Sequence, residues 1–142
     1  MKYSVILALL SFCTFSSCSC EPEQIAHYAF KGMEMMMGEG FMPSDEIRAL
    51  GDFQGMSVNL SKSYGETATI FLKLENGDPA KLGQGRESLA RKCAELYLKD
   101  FENAKEYEQI TVQFFQTDPQ NPQNVAMEEY AFQIKDFSLQ DS

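Results

Sequence analysis

The chain has 142 residues, 44% of them apolar and 23% charged, which suits a single globular core and excludes a disordered or collagen-like polymer. Twelve basic side chains against 21 acidic ones leave a formal charge of -9, a field that repels polyphosphate and argues against nucleic acid as a partner. Four cysteines are too few for a disulfide scaffold, and a lone histidine cannot build a multi-histidine metal centre.

Lys2 is followed by the apolar run "VILALLSFCTF" from Val5 to Phe15 and then by the small residues Ser16 and Ser17. That is the pattern of an export signal, and it falls well short of the roughly 20 apolar residues a bilayer-crossing helix needs. "FSSC" at Phe15 to Cys18 resembles the lipobox of bacterial lipoprotein signal peptides, with Phe15 standing where leucine is usual. The resemblance covers residues 1–20 only. It implies removal of residues 1–17, acylation of Cys18 as the mature first residue, and a lipidated tether over 18–23 ahead of one domain at 24–142. Two or three acyl chains hold a protein on a bilayer essentially permanently, since each buried methylene contributes about 0.8 kcal/mol. Ser19, where an aspartate would favour inner-membrane retention in enteric lipoproteins, leans toward the outer membrane. An ordinary secretory signal cleaved nearby is the alternative. Cys20 and Cys93 then remain in the exported chain; Cys93 reads as a small core hydrophobe, and pairing between the two is the lesser reading.

Residues 23–37, "EQIAHYAFKGMEMMM", have helical periodicity, with Ala26, Ala29, Phe30, Met33, Met36 and Met37 in one stripe. Gly38 and Gly40 end it, and "SDEIRALG" at 44–51 predicts a short helix capped by Ser44 or Asp45. Met56, Val58 and Leu60 alternate with polar residues, as do Ile70, Leu72 and Leu74, so two strands are predicted around a turn at "SYGE", 63–66. "NGDP" at 76–79 stops the second. Residues 84–107 predict a long helix with Leu89, Ala90, Cys93, Leu96, Tyr97, Phe101 and Ala104 on its apolar side. "ITVQFFQ" at 110–116 and "EYAFQIKDF" at 129–137 predict two more strands joined by the exposed "TDPQNPQN". The order α-β-β-α-β-β predicts an α+β fold, with a four-stranded antiparallel sheet and both helices on one face.

The opposite sheet face would carry Ser57, Asn59, Ser61, Thr69, Thr111 and Gln113 with Phe71 and Phe115 among them. A polar sheet surface set with rings suits a protein partner at the cell envelope. The methionine cluster offers soft thioethers of the kind copper(I) takes, but His27 and Met35 diverge from the Met33 and Met37 line, so an adaptable core is the preferred reading. Met33, Met36, Met37, Phe71 and Phe115 are the ligand-binding candidates, Cys18 is the lipidation site, and no catalytic residue, metal or cofactor is nominated. Asp100 falls in the predicted apolar stripe, where burial could tune it for catalysis; a solvent-reaching helix edge is the simpler expectation. The function these features predict is a membrane-anchored extracytoplasmic lipoprotein that recognises or assembles with envelope components. A small-ligand or copper(I)-binding lipoprotein is the alternative, and a hydrolytic enzyme comes third.

Overall fold

The computed structural model describes residues 31–83 and 85–138. The architecture below is that of the unit Gly32–Ser142. The predicted signal sequence, Cys18, Cys20, His27 and the first half of the predicted methionine helix lie outside the described residues.

Residues 31–37 are helical and stop at Gly38, whose φ of 101° an L side chain rarely adopts. Helix α1, Asp45–Gly51, follows; Asp45 and Glu46 place negative charge on its first turn, where the helix dipole favours it. Ser44 takes the N-cap position without a side-chain cap hydrogen bond. Strands β1, Gly55–Ser61, and β2, Thr69–Glu75, form an antiparallel hairpin. Its turn is closed by Glu66 N donating to Ser63 O at 3.1 Å, with Gly65 at φ 82°. A single-turn helix α2, Pro79–Leu82, is capped by Asp78, whose Oδ1 accepts from Ala80 N at 2.9 Å. Helix α3, Arg86–Asp100, leads through a 3₁₀ turn at Ala104–Glu106 to β3, Gln109–Thr117. Strand β4, Val125–Gln133, pairs antiparallel with β3, and a second 3₁₀ turn at Ile134–Asp136 follows it.

The sheet order is β1-β2-β3-β4, and β2 and β3 run parallel, so the fold is α+β with a mixed sheet and not the antiparallel one predicted. The reason lies in the length of the connection. Fifteen residues of α3 at about 1.5 Å each cover some 22 Å, close to the length of a seven-residue strand. The helix therefore carries the chain back to the end where β2 began, and β3 must start there too. The helix also ends at Asp100, short of the predicted 107, because Phe101 turns extended and places its ring 6.2 Å from Phe41, 5.5 Å from Tyr97 and 6.2 Å from Tyr107. Strand β4 starts four residues earlier than expected.

The core fills the space between the sheet and α3. Ile70, Leu72 and Leu74 of β2 and Ile110, Val112 and Phe114 of β3 meet Ala90, Cys93, Ala94, Tyr97 and Leu98 of α3, all of them buried. Helix α3 packs over β3 and β4, and α1 packs on α3. The expectation of two helices side by side on the sheet fails for a specific reason. In the described part of the first helix Met36 is 85% and Met33 38% exposed, and only Met37 packs against the core.

Candidate functional site

Strand alternation sends Ser57, Asn59 and Ser61 of β1, Thr69, Phe71 and Lys73 of β2, and Thr111, Gln113 and Phe115 of β3 to the side of the sheet away from α3. The face named from sequence is therefore one surface. Its register places Asn59 opposite Phe71, Phe71 opposite Thr111, and Phe115 opposite Met127. Phe71 and Phe115 are half-buried.

Two features of this face differ from expectation. Its centre is not wet: Thr111 is 5% exposed, and Thr69 is likewise buried and turns its hydroxyl to Thr67 O at 2.9 Å. Short threonines in the two central strands sit below the rim of longer neighbours such as Phe71 and Gln109, and Gln109 Nε2 donates to Thr111 Oγ1 at 3.2 Å. Nor is Phe115 isolated. Met127, 52% exposed, is its cross-strand partner, and the exposed Val125 lies opposite Thr117, so β3 and β4 together present an apolar corner. Sequence reasoning missed Met127 and Val125 because it began the strand at 129; the alternation of Val125, Met127 and Glu129 was the available signal.

The charges on the face are held internally. The Lys73 ammonium lies 4.2 Å from the centroid of the Phe115 ring and is paired with Glu75, and Gln113 Nε2 donates to Glu129. One face of the Phe115 ring is thus covered by its own neighbour. What remains available is contact chemistry: two rings, a thioether, a valine and a rim of serine, asparagine and glutamine.

The methionine candidates are elsewhere. Met37 packs against the core on the helix side of the sheet, while Phe71 and Phe115 point away from it, so these five residues do not converge on one ligand. Phe101 is 2% exposed within the aromatic cluster of Phe41, Tyr97 and Tyr107. A shallow open recess of about 220 Å³ occurs instead at the end of the β3–β4 ladder, lined by Gln116, Thr117, Asp118, Asn124 and Ala126.

Among the described residues no cluster of three histidine, cysteine or acidic side chains could hold a metal ion. Asp100 is exposed at the end of α3. Cys93 is fully buried, and burial pushes its thiol up to about 12, away from the thiolate form that reacts. At the other end of the helix, Arg86 donates to Glu128 across to β4, and this hydrogen bond holds the Glu128 carboxyl below its ordinary range. The Arg91 guanidinium lies 5.3 Å from the Phe132 ring and 5.1 Å from the Phe137 ring, which fastens the last turn to α3. No helix of the described residues is long and apolar enough to cross a membrane.

Comparison of the chain with protein-family models, with curated proteins and with solved structures finds no match.

Proposed function

We propose that this chain is an exported lipoprotein, held at the cell envelope by acylated Cys18, whose folded unit recognises or assembles with another envelope protein. Support for the anchor is the sequence "VILALLSFCTFSSC", an apolar run leading into two small residues and a cysteine. Support for recognition is the apolar corner of Phe115, Met127 and Val125 on the outer sheet face, with no described element packed over it. The single observation that carries the reading is that this corner sits beside internally paired charges. A partner would meet rings and a thioether and would not have to strip Lys73 or Glu75 of their partners.

The test uses the full chain in a host that acylates lipoproteins. Membrane and soluble fractions are compared for the wild type and Cys18→Ser, and the mature N-terminal peptide is weighed by mass spectrometry. An acylated Cys18 and release of the Cys18→Ser protein are expected; equal membrane partition of the two would remove the anchor. Companions captured with the anchored protein should be lost from a Phe115→Ser, Met127→Ser variant that still folds, and retention of all of them would remove the recognition face.

A further inference from the structure

The two edges of the sheet are built differently. Strand β4 has Glu129 at its midpoint and Glu128 beside it, so two β4 edges brought together about their centres would set Glu129 against its own copy. Like charges directly opposite are destabilising, and a charged edge is a common way to refuse a partner strand. Strand β1, Gly55–Ser61, "GMSVNLS", carries no charged residue and no proline. Among the described residues its only strand partner is β2, which leaves the other edge open. In a molecule with 21 acidic and 12 basic side chains, a seven-residue edge free of charge is where a second equally acidic copy meets least repulsion.

The strand is also complementary to itself. Paired antiparallel about a two-fold axis at Val58, Met56 faces the Leu60 of the other copy, Val58 faces Val58, and Ser57 faces Asn59. From Met56 to Leu60 apolar meets apolar and polar meets polar, Gly55 meets Ser61 at the strand ends, and Lys62 beyond the strand meets Gln54. A two-fold interface requires this self-matching. On the helix side, Met56, Val58 and Leu60 are only half-buried, so pairing would cover apolar surface that the fold leaves partly open. A one-residue slip would put Ser57 opposite Val58 and break the match.

We propose that two copies of this chain join through their β1 edges into one continuous eight-stranded sheet. This names a partner within the assembly reading above without depending on the lipid anchor, and it leaves the Phe115 corner free. A single strand pair buries little area, so the dimer is a weak one in dilute solution and strengthens as salt screens the mutual charge.

Sedimentation of the full-length chain in mild detergent, from micromolar to several hundred micromolar, tests it. The wild type should show a concentration-dependent dimer that tightens as NaCl is raised. Ser57 and Asn59 are both exposed, and Ser57 stands opposite Lys73 within the sheet, so a glutamate at 57 meets an opposite charge in the monomer. Ser57→Glu with Asn59→Glu sets like charges opposite each other twice across the dimer and should weaken it about tenfold or more. Ser57→Glu with Asn59→Lys sets opposite charges in the same register and should restore it to about the wild-type constant. A wild-type monomer at every concentration would overturn the proposal, as would equal behaviour of the two double variants. A dimer lost on Phe115→Ser but indifferent to both would overturn it too, by moving the contact to the outer face. Loss of the anchor is read separately, from the partition of Cys18→Ser, so the two failures are distinguishable.

Discussion

The Phe53 ring lies against Gly51 so closely that a Cβ on Gly51 would fall well inside van der Waals contact with it. Gly77 flanks the same ring, where a Cβ would stand 2.8 Å from Cε1, and Phe114 stacks on it at 5.9 Å. A backbone and a side-chain hydrogen bond stitch the arrangement: Asp78 N donates to Gly51 O at 2.8 Å, and the Arg48 guanidinium donates through Nη1 to Phe53 O at 2.9 Å. The end of α1 is thereby fixed to the end of β2.

Gly51→Ala should therefore destabilise by about 1–3 kcal/mol through overpacking, despite alanine's better helix propensity. Phe53→Leu in the same background should recover part of that loss, because the clash is with the ring. Urea unfolding of the two singles and the double checks this; additive losses would mean that the ring and the glycine do not share one space.

The buried Tyr97 hydroxyl donates to Phe41 O at 2.9 Å, and the same loop places Gly40, at φ 72°, directly on the Asp100 carbonyl. Asn103 Nδ2 adds a bond to Met37 O at 3.0 Å. These contacts hold residues 37–41 against the C-terminal end of α3. Tyr97→Phe leaves a carbonyl oxygen unsatisfied in the core and should cost about 1–3 kcal/mol. Amide exchange should accelerate first in residues 38–42; uniform acceleration across the sheet would mean that the loop is not a separate opening unit.

The first three strands and the long helix were legible because their apolar periods are clear, as in Ile70, Leu72 and Leu74, whereas the fourth strand lies at Val125–Gln133 and not at the expected 129–137. Strand direction was not legible, since it depends on α3 matching β2 in length, a comparison that periodicity does not make. The end of α3 was hidden as well. Phe101 and Ala104 continue the helical period, and only the packing of Phe101 against Phe41 and Tyr107 draws the backbone out of it. The outer face was readable for β1 to β3 from alternation alone, whereas its apolar corner needed the register of β4. For the methionines, the period gave a stripe but could not say what it would face, and Met36 faces outward.

Glu128 is an exposed carboxylate whose ordinary titration is displaced downward by Arg86 and, secondarily, by the Tyr130 hydroxyl that donates to it at 3.1 Å. A depressed folded-state pKa contributes stability above the unfolded value and loses it as pH falls through the folded one. Arg86→Gln should raise the Glu128 carboxyl toward its normal range in a carbon-13 NMR titration, with high salt giving a smaller shift in the same direction. An unmoved titration would show that Arg86 does not hold the carboxylate in solution.

The Cys93 thiol has the opposite sign. Burial in α3 raises it from an ordinary 9.0 to about 12, so the folded chain keeps its proton over a range in which the unfolded chain releases it. The unfolded state binds fewer protons there, and stability falls as pH rises between about 9 and about 12. One such group contributes at most about 1.4 kcal/mol per pH unit. Tyr97, raised by the same burial, adds to the fall at the upper end of the range. Urea midpoints measured from pH 8 to 11 should therefore decline, and Cys93→Ala, though less stable at pH 8 because of the space it leaves, should decline less steeply. The slopes are compared and not the absolute values, which separates ionisation from packing. A thiol reagent should label Cys93 at the rate of unfolding and no faster, and labelling ahead of unfolding would show that the sulfur is reached through local opening of α3.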